Sequence, residues 1–162
     1  MGTDSLISSL PSIFSGEMTF DTADPQDESA ATKAPMIDKS EAVIDFATMS
    51  AVEVHNRVRG LELWPGCHFY VEEVSGSGPP RKVKLGRTRV IDDEEKLAGL
   101  EGRGVALLPG KGAGLGVLLA DGTGLELLTV QPEGKKMMDA KAYANGLTGK
   151  IRWRQPEEAV PN

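Results

Sequence analysis

With 162 residues, 40% of them hydrophobic, the chain has room for one ordinary domain and an appended arm, while 19 Gly and 10 Pro point to many turns and a β-rich fold. No apolar run approaches the ~20 residues that span a bilayer, the acidic-polar N-terminus carries neither a secretory nor an Arg-rich transit signal, and Leu6 stands where a myristoylation signal needs Ser or Thr. Cys67 is the only cysteine, which excludes an intramolecular disulfide or a cysteine-built zinc site and fits a reducing compartment.

The net charge of −6 is unevenly spread. Residues 1–56 carry 10 acidic and 2 basic side chains (−8), and residues 57–162 carry 14 and 16 (+2). Arg81, Lys82, Lys84, Arg87 and Arg89 follow one another without an acid between them. Lys135, Lys136, Lys141, Lys150, Arg152 and Arg154 are interrupted only by Asp139. Such clustering points to a polyanion partner more directly than the net charge does.

Along residues 3–14, Leu6, Leu10, Ile13 and Phe14 recur at helical spacing behind Thr3 or Asp4 as a cap, but Pro11 predicts a short or broken helix. Residues 16–36 are polar and aperiodic and read as an extended linker, with Pro25-Gln26-Asp27-Glu28 as turn and solvated charge. An extended segment is expected near 43–46. Ser50 and Glu53 have capping-box spacing for a helix running to Gly60, with Val54, Val58 and Leu61 on its inner side. Trp64-Pro65-Gly66 then reads as a turn, with Trp64 in the core.

Strand-length runs follow at His68–Val74, Lys82–Ile91, Gly104–Leu108, Leu115–Ala120 and Gly124–Val130. Their clearest separators are Ser75-Gly76-Ser77-Gly78-Pro79-Pro80 and Asp121-Gly122-Thr123-Gly124. Val90 and Ile91 suggest a bulge or twist late in the second run. Asp139 is placed to cap a last helix, with Met138 and Tyr143 at staple spacing and Asn145-Gly146 at its end. Ile151 and Trp153 suit a final short strand or lid. Five short strands beside a helix suit a mainly β fold, a small Greek-key barrel of the oligonucleotide-binding type.

Catalytic and metal chemistry find little support. His55 and His68 have no carboxylate-plus-nucleophile pattern around them. Asp92-Asp93-Glu94-Glu95 reads as a solvated acidic loop rather than a metal site. Gly110–Gly116 fails both phosphate-loop templates, since Gly112 follows Lys111 and the glycine spacing is wrong, so a hairpin loop is expected. Lys135 and Lys136 suit either phosphate contact or a solvated turn ahead of the capped helix. Arg81, Lys82, Lys84, Arg87 and Arg89 suit either a nucleic-acid face or a simply basic strand face. Arg152-Trp153-Arg154 interleaves cations with an aromatic, as single-strand binders do, although a Trp near a terminus more often plugs a barrel end.

Several segments in order, Pro25-Gln26-Asp27-Glu28, Ile44-Asp45-Phe46, Val58-Arg59-Gly60 before Trp64-Pro65-Gly66, Asp121-Gly122 and Gln131–Gly146 (Q-P-E-G-K-K-M-M-D-A-K-A-Y-A-N-G), resemble the methionyl-tRNA formyltransferase family. The resemblance runs from the end of the family's catalytic domain through the linker to its C-terminal barrel. It departs at Arg103, where Pro is usual before Gly104, and at Pro109–Gly116, which is longer and richer in Gly. It implies a remnant helix of the missing catalytic domain at 1–15, a linker at 16–42, an oligonucleotide-binding-type barrel at 43–155 and a tail at 156–162. It further implies an enzyme that moves a formyl group from 10-formyltetrahydrofolate to methionyl initiator tRNA in translation initiation. The family's Asn-His-Asp catalytic set is absent from this chain, so the expectation here is a tRNA-binding part, monomeric, with no membrane association, no catalytic or metal residue and no cofactor of its own. Lys135, Lys136, Arg81, Lys82, Lys84, Arg87, Arg89, Lys150 and Arg152 are the expected tRNA contacts. The compartment would be a bacterial cytoplasm, a mitochondrion or a plastid. A related folate formyl hydrolase, a sugar formyltransferase or a stand-alone RNA-binding module are the alternatives.

Overall fold

Antiparallel pairing organises everything from His68 onward. The computed structural model describes residues 2–25, 27–74, 78–110, 112–147 and 149–159, so the expected turn at Ser75-Gly76-Ser77 and the positions Gln26 and Lys111 lie outside the described residues. The chain divides into two compact units, Met1–Met36 and Ile37–Asn162.

In the first unit, helix α1 (Gly2–Phe14) runs through Pro11 without breaking, against expectation. None of its residues is buried, so water can solvate the carbonyl that loses its partner to proline. A single helical turn at Phe20–Thr22 is capped by Thr19, and another at Glu28–Ala30 by Asp27.

The second unit opens with a turn at Lys39–Ala42, boxed by Asp38 and Glu41. The extended segment expected near 43–46 begins as expected and ends early: Val43 is extended and bridges His68, the Ile44 N–H donates to the His68 carbonyl at 2.8 Å, and Phe46 already starts a turn. Helix α2 (Ala51–Gly60) carries the expected capping box, in which the Ser50 hydroxyl accepts from the Glu53 N–H and the Glu53 carboxylate from the Ser50 N–H. Ala51, Val54 and Val58 form its buried stripe.

The strands are β1 (His68–Glu73), β2 (Arg81–Leu85), β3 (Thr88–Ile91), β4 (Gly104–Leu107), β5 (Leu115–Leu118), β6 (Gly124–Leu127), β7 (Thr129–Pro132), β8 (Met138–Asp139) and β9 (Ile151–Arg154). They form one sheet in the order β3-β6-β5-β4-β9-β1-β2-β7-β8. That order curls round on itself. β2 and β3 are halves of one bent strand, β6 and β7 of another, and the two bent strands pair along both halves. Counted that way, the pairings make a ring from β1 through β2/β3, β6/β7, β5, β4 and β9 back to β1. The result is a mainly β fold consistent with the expected barrel of oligonucleotide-binding type.

The expected bulge at Val90-Ile91 is instead a bend at Gly86-Arg87. There the Arg87 N–H donates to Thr129 Oγ1 and the Gly86 N–H to the Thr129 carbonyl. A Cβ at 86 would meet Thr129 Oγ1 at 2.3 Å and Met137 Sδ at 2.8 Å, so the bend needs glycine.

Inside the barrel, Phe69 and Val71 of β1, Val83 and Leu85 of β2, Leu125 and Leu127 of β6, and Ile151 and Trp153 of β9 share one core. Phe46 meets Phe69 at 5.1 Å and the edge of Trp153 at 5.8 Å, so Trp153 is the expected plug. The acidic stretch after β3 is solvated, as expected, but only Asp92 and Asp93 are loop, and Glu94 and Glu95 open a helix. Asp93 caps a short helix, α3 (Glu94–Ala98), its carboxylate accepting from the Glu95 and Lys96 N–H groups. Asp139 caps α4 (Ala140–Asn145) as expected, and Gly146 ends it. A last helix, α5 (Pro156–Ala159), follows β9.

Candidate nucleic-acid interface

Register decides which side chains share the outer surface. Because successive strand residues point to opposite faces, burying Val83 and Leu85 turns Lys82 and Lys84 outward. Lys84 stands opposite His68 on one side and Gln131 on the other. Lys82 stands opposite Tyr70, which stands opposite Arg154. The row beyond pairs Glu72 with Arg152. The outer face of β7, β2, β1 and β9 therefore carries cations and two aromatic rings, with His68 and Tyr70 packed edge to face at 5.7 Å.

Two charge states exist within this face. Glu72 reaches both Arg152, through a short contact, and Arg154 Nε at 2.8 Å. Arg154 also lies 3.4 Å from Glu158, which holds Arg103 at 2.8 Å, and the Arg103 guanidinium sits 5.0 Å from the Trp153 ring centre. Arg81 is paired with Glu73 at 2.8 Å. Lys82, Lys84, Arg87, Lys135 and Lys136, in contrast, form no ion pair among the described residues. Phosphate can meet these five without first displacing a carboxylate.

The turn between β7 and β8 brings Lys135 to the same edge. The Glu133 N–H donates to the Lys82 carbonyl at 3.2 Å, and the Gln131 side-chain amide donates to the Lys135 carbonyl at 2.8 Å. Lys135, Lys82 and Arg81 line a common groove with Tyr143 and Met138. Arg89 is elsewhere, on β3, 3.7 Å from the buried Glu126 and beside Asp92, Asp93 and Lys96. Lys150 lies beside β1, its carbonyl accepting from the Val74 N–H. Of the nine expected contacts, the fold thus gathers Arg81, Lys82, Lys84 and Lys135 near one edge, with Lys136 beside Lys135 in its turn, leaves Arg87 at the bend, holds Arg152 against Glu72 on the same face, and separates Arg89 and Lys150.

Sequence reasoning missed Tyr70, Gln131, Lys39 and the exposure of Trp64. Trp64 is not core: it is 54% exposed. The Gly66 N–H donates to the Leu61 carbonyl, closing a turn in which Leu61 is buried while Leu63 and Trp64 project outward. Burial, with Lys82 nearby, holds the His68 imidazole down at about 4, so it is neutral near pH 7. His55 Nδ1 is hydrogen-bonded to Thr88 Oγ1 at 2.9 Å. Among the described residues no cluster of His, Cys, Asp or Glu suits a metal ion, and no helix is long and apolar enough to cross a membrane.

Residues 36–148 match the family model described as formyl transferase, C-terminal domain. A methionyl-tRNA formyltransferase of Streptococcus pyogenes serotype M28 (strain MGAS6180) is 34% identical over 158 residues, covering 93% of this chain and 42% of that protein. One from Solibacter usitatus (strain Ellin6076) is 34% identical over 149 residues, covering 90% of this chain and 41% of the relative. The chain thus spans less than half the length of the curated relatives it matches. With the model match extending over most of its length, the chain belongs to the formyl transferase C-terminal domain family.

Proposed function

We propose that this barrel is the tRNA-holding part of a methionyl-tRNA formyltransferase, with formyl transfer from 10-formyltetrahydrofolate carried out by a catalytic domain that is not among these residues. The observation that carries the reading is that Lys82, Lys84, Lys135 and Lys136, on β2 and the β7–β8 turn, form no ion pair among the described residues, on a chain whose relatives are named for a tRNA substrate. Charge and shape would do the holding, phosphate contacts setting position and the catalytic domain reading the charged end. The partners in this reading are initiator methionyl-tRNA and the catalytic domain. The chain binds no cofactor, acts as a monomer within the enzyme, and works in translation initiation, in a bacterial cytoplasm or an organelle descended from one.

Filter binding of initiator tRNA at several salt concentrations tests this. Weak binding that falls steeply with salt, and falls further with Lys135→Ala/Lys136→Ala, is expected. A flat salt dependence overturns the electrostatic reading.

A further inference from the structure

Beside the barrel's outer face lies a hollow of about 250 Å³ whose lining includes Trp64, Gly66, His68, Lys39, Lys82 and Lys84. We propose that it receives one unstacked nucleotide of an RNA, the base against the Trp64 ring and the phosphate between Lys82 and Lys84. This rests on the reading of the barrel as an RNA-holding surface and narrows that reading to one position.

Four observations converge. First, tryptophan usually buries most of its surface, whereas Trp64 is 54% exposed and forms a wall of the hollow. An indole presented this way offers a stacking face that every base can use. Second, three lysines line the hollow with no carboxylate among the lining residues, and neither Lys82 nor Lys84 is in an ion pair among the described residues. Third, the site is pre-shaped. Lys84 is half-buried, with its outer arm laid over Gly66, where a Cβ would come within 2.2 Å of its Cε. Fourth, His68 is neutral near pH 7 and adds an aromatic wall without a charge. The size admits a nucleotide and not a duplex, so the RNA must present a base out of its stack. An acidic peptide would satisfy the lysines and leave Trp64 without a π partner.

The two tryptophans make the test direct, because Trp153 is buried at 3% exposure and Trp64 faces solvent. Adenosine 5′-monophosphate added to the full chain should quench the solvent-exposed emission saturably, while inorganic phosphate should compete without quenching. Trp64→Leu and Trp64→Phe should both abolish the quench, and by calorimetry Trp64→Leu should weaken mononucleotide binding about tenfold with the affinity of Trp64→Phe falling between, as loss of one base–aromatic stack predicts. Lys82→Gln should weaken binding while keeping the quench at saturation. Thermal melts by circular dichroism should show each variant folded.

Quenching that persists in Trp64→Leu, or no saturable response to the nucleotide, overturns the proposal. So does a blue shift on phosphatidylserine vesicles without any nucleotide response, which would assign the hollow to a lipid surface. Filter binding of tRNA run alongside separates the two readings. Salt-dependent tRNA retention without a nucleotide response sinks this inference alone, and a nucleotide response without tRNA retention sinks the tRNA reading alone.

Discussion

Lys84 lies across Gly66, so closely that a Cβ at 66 would sit 2.5 Å from its Nζ. Gly66 has φ of 78°, in the left-handed region where side chains are disfavoured. Gly66→Ala should therefore cost about 1–2 kcal/mol through the backbone alone and also displace the lysine. A lower urea midpoint together with weaker RNA binding is expected. Adding Lys84→Ala to Gly66→Ala should relieve the steric part and leave the backbone part, which a double-mutant comparison will read.

Cations already held by carboxylates should matter less to RNA than free ones. Lys82→Ala and Lys135→Ala should each lower the slope of log K against log salt by about 0.7–0.9. Arg152→Ala should change it far less, since Glu72 already occupies that guanidinium and keeps Arg154 afterwards. Equal losses from all three would show that the ion pairs open on binding.

His68 links stability to acid. Its folded value of about 4 lies below the ordinary 6.5, so the unfolded chain binds the extra proton across that interval. Stability should be undiminished by this group above pH 6.5 and fall as pH drops toward 4, by up to about 3 kcal/mol over the whole interval. Urea midpoints measured at pH 7.5 and pH 5 should differ less in His68→Gln than in the parent. An unchanged difference would assign the acid sensitivity to other groups.

Glu126 is 2% exposed, and its carboxylate accepts from the Gly114 N–H at 2.8 Å while Arg89 sits 3.7 Å away. It anchors the β4–β5 connection to the barrel wall. Glu126→Ala leaves that buried N–H without its acceptor and should cost about 1–3 kcal/mol, with faster amide exchange at Gly114. Glu126→Gln keeps an acceptor oxygen and should cost less.

Local signals in the chain were legible, and non-local ones were not. Ser50 with Glu53, and Asp139 alone, announce their helices because a cap is decided within four residues. The alternation of Val83 and Leu85 with Lys82 and Lys84 announces a strand with a basic outer side. Gly86, the glycine inside a strand run, is the readable signal for the bend, and Val90-Ile91 is not. The quieting of Arg152 depends on Glu72, 80 residues earlier, and only the β1–β9 register brings them together. Trp64 escaped for the opposite reason: the general tendency of tryptophan to bury was applied to a turn whose Leu61 already fills the inward position. Lys39 escaped because only the fold brings its turn to the β1–β2 surface.

The closing of the strand ring by β9 has a consequence for synthesis. β9 pairs with β1 on one side and β4 on the other, so the gap between those two strands stays open until residues 151–154 arrive. A chain still on the ribosome thus carries an unsealed sheet, with Trp153 not yet against Phe46, until that strand has emerged. Contacts this distant in sequence form late and slowly, and the barrel's last four-residue strand sets the moment at which the exposed apolar interior is withdrawn from other nascent chains.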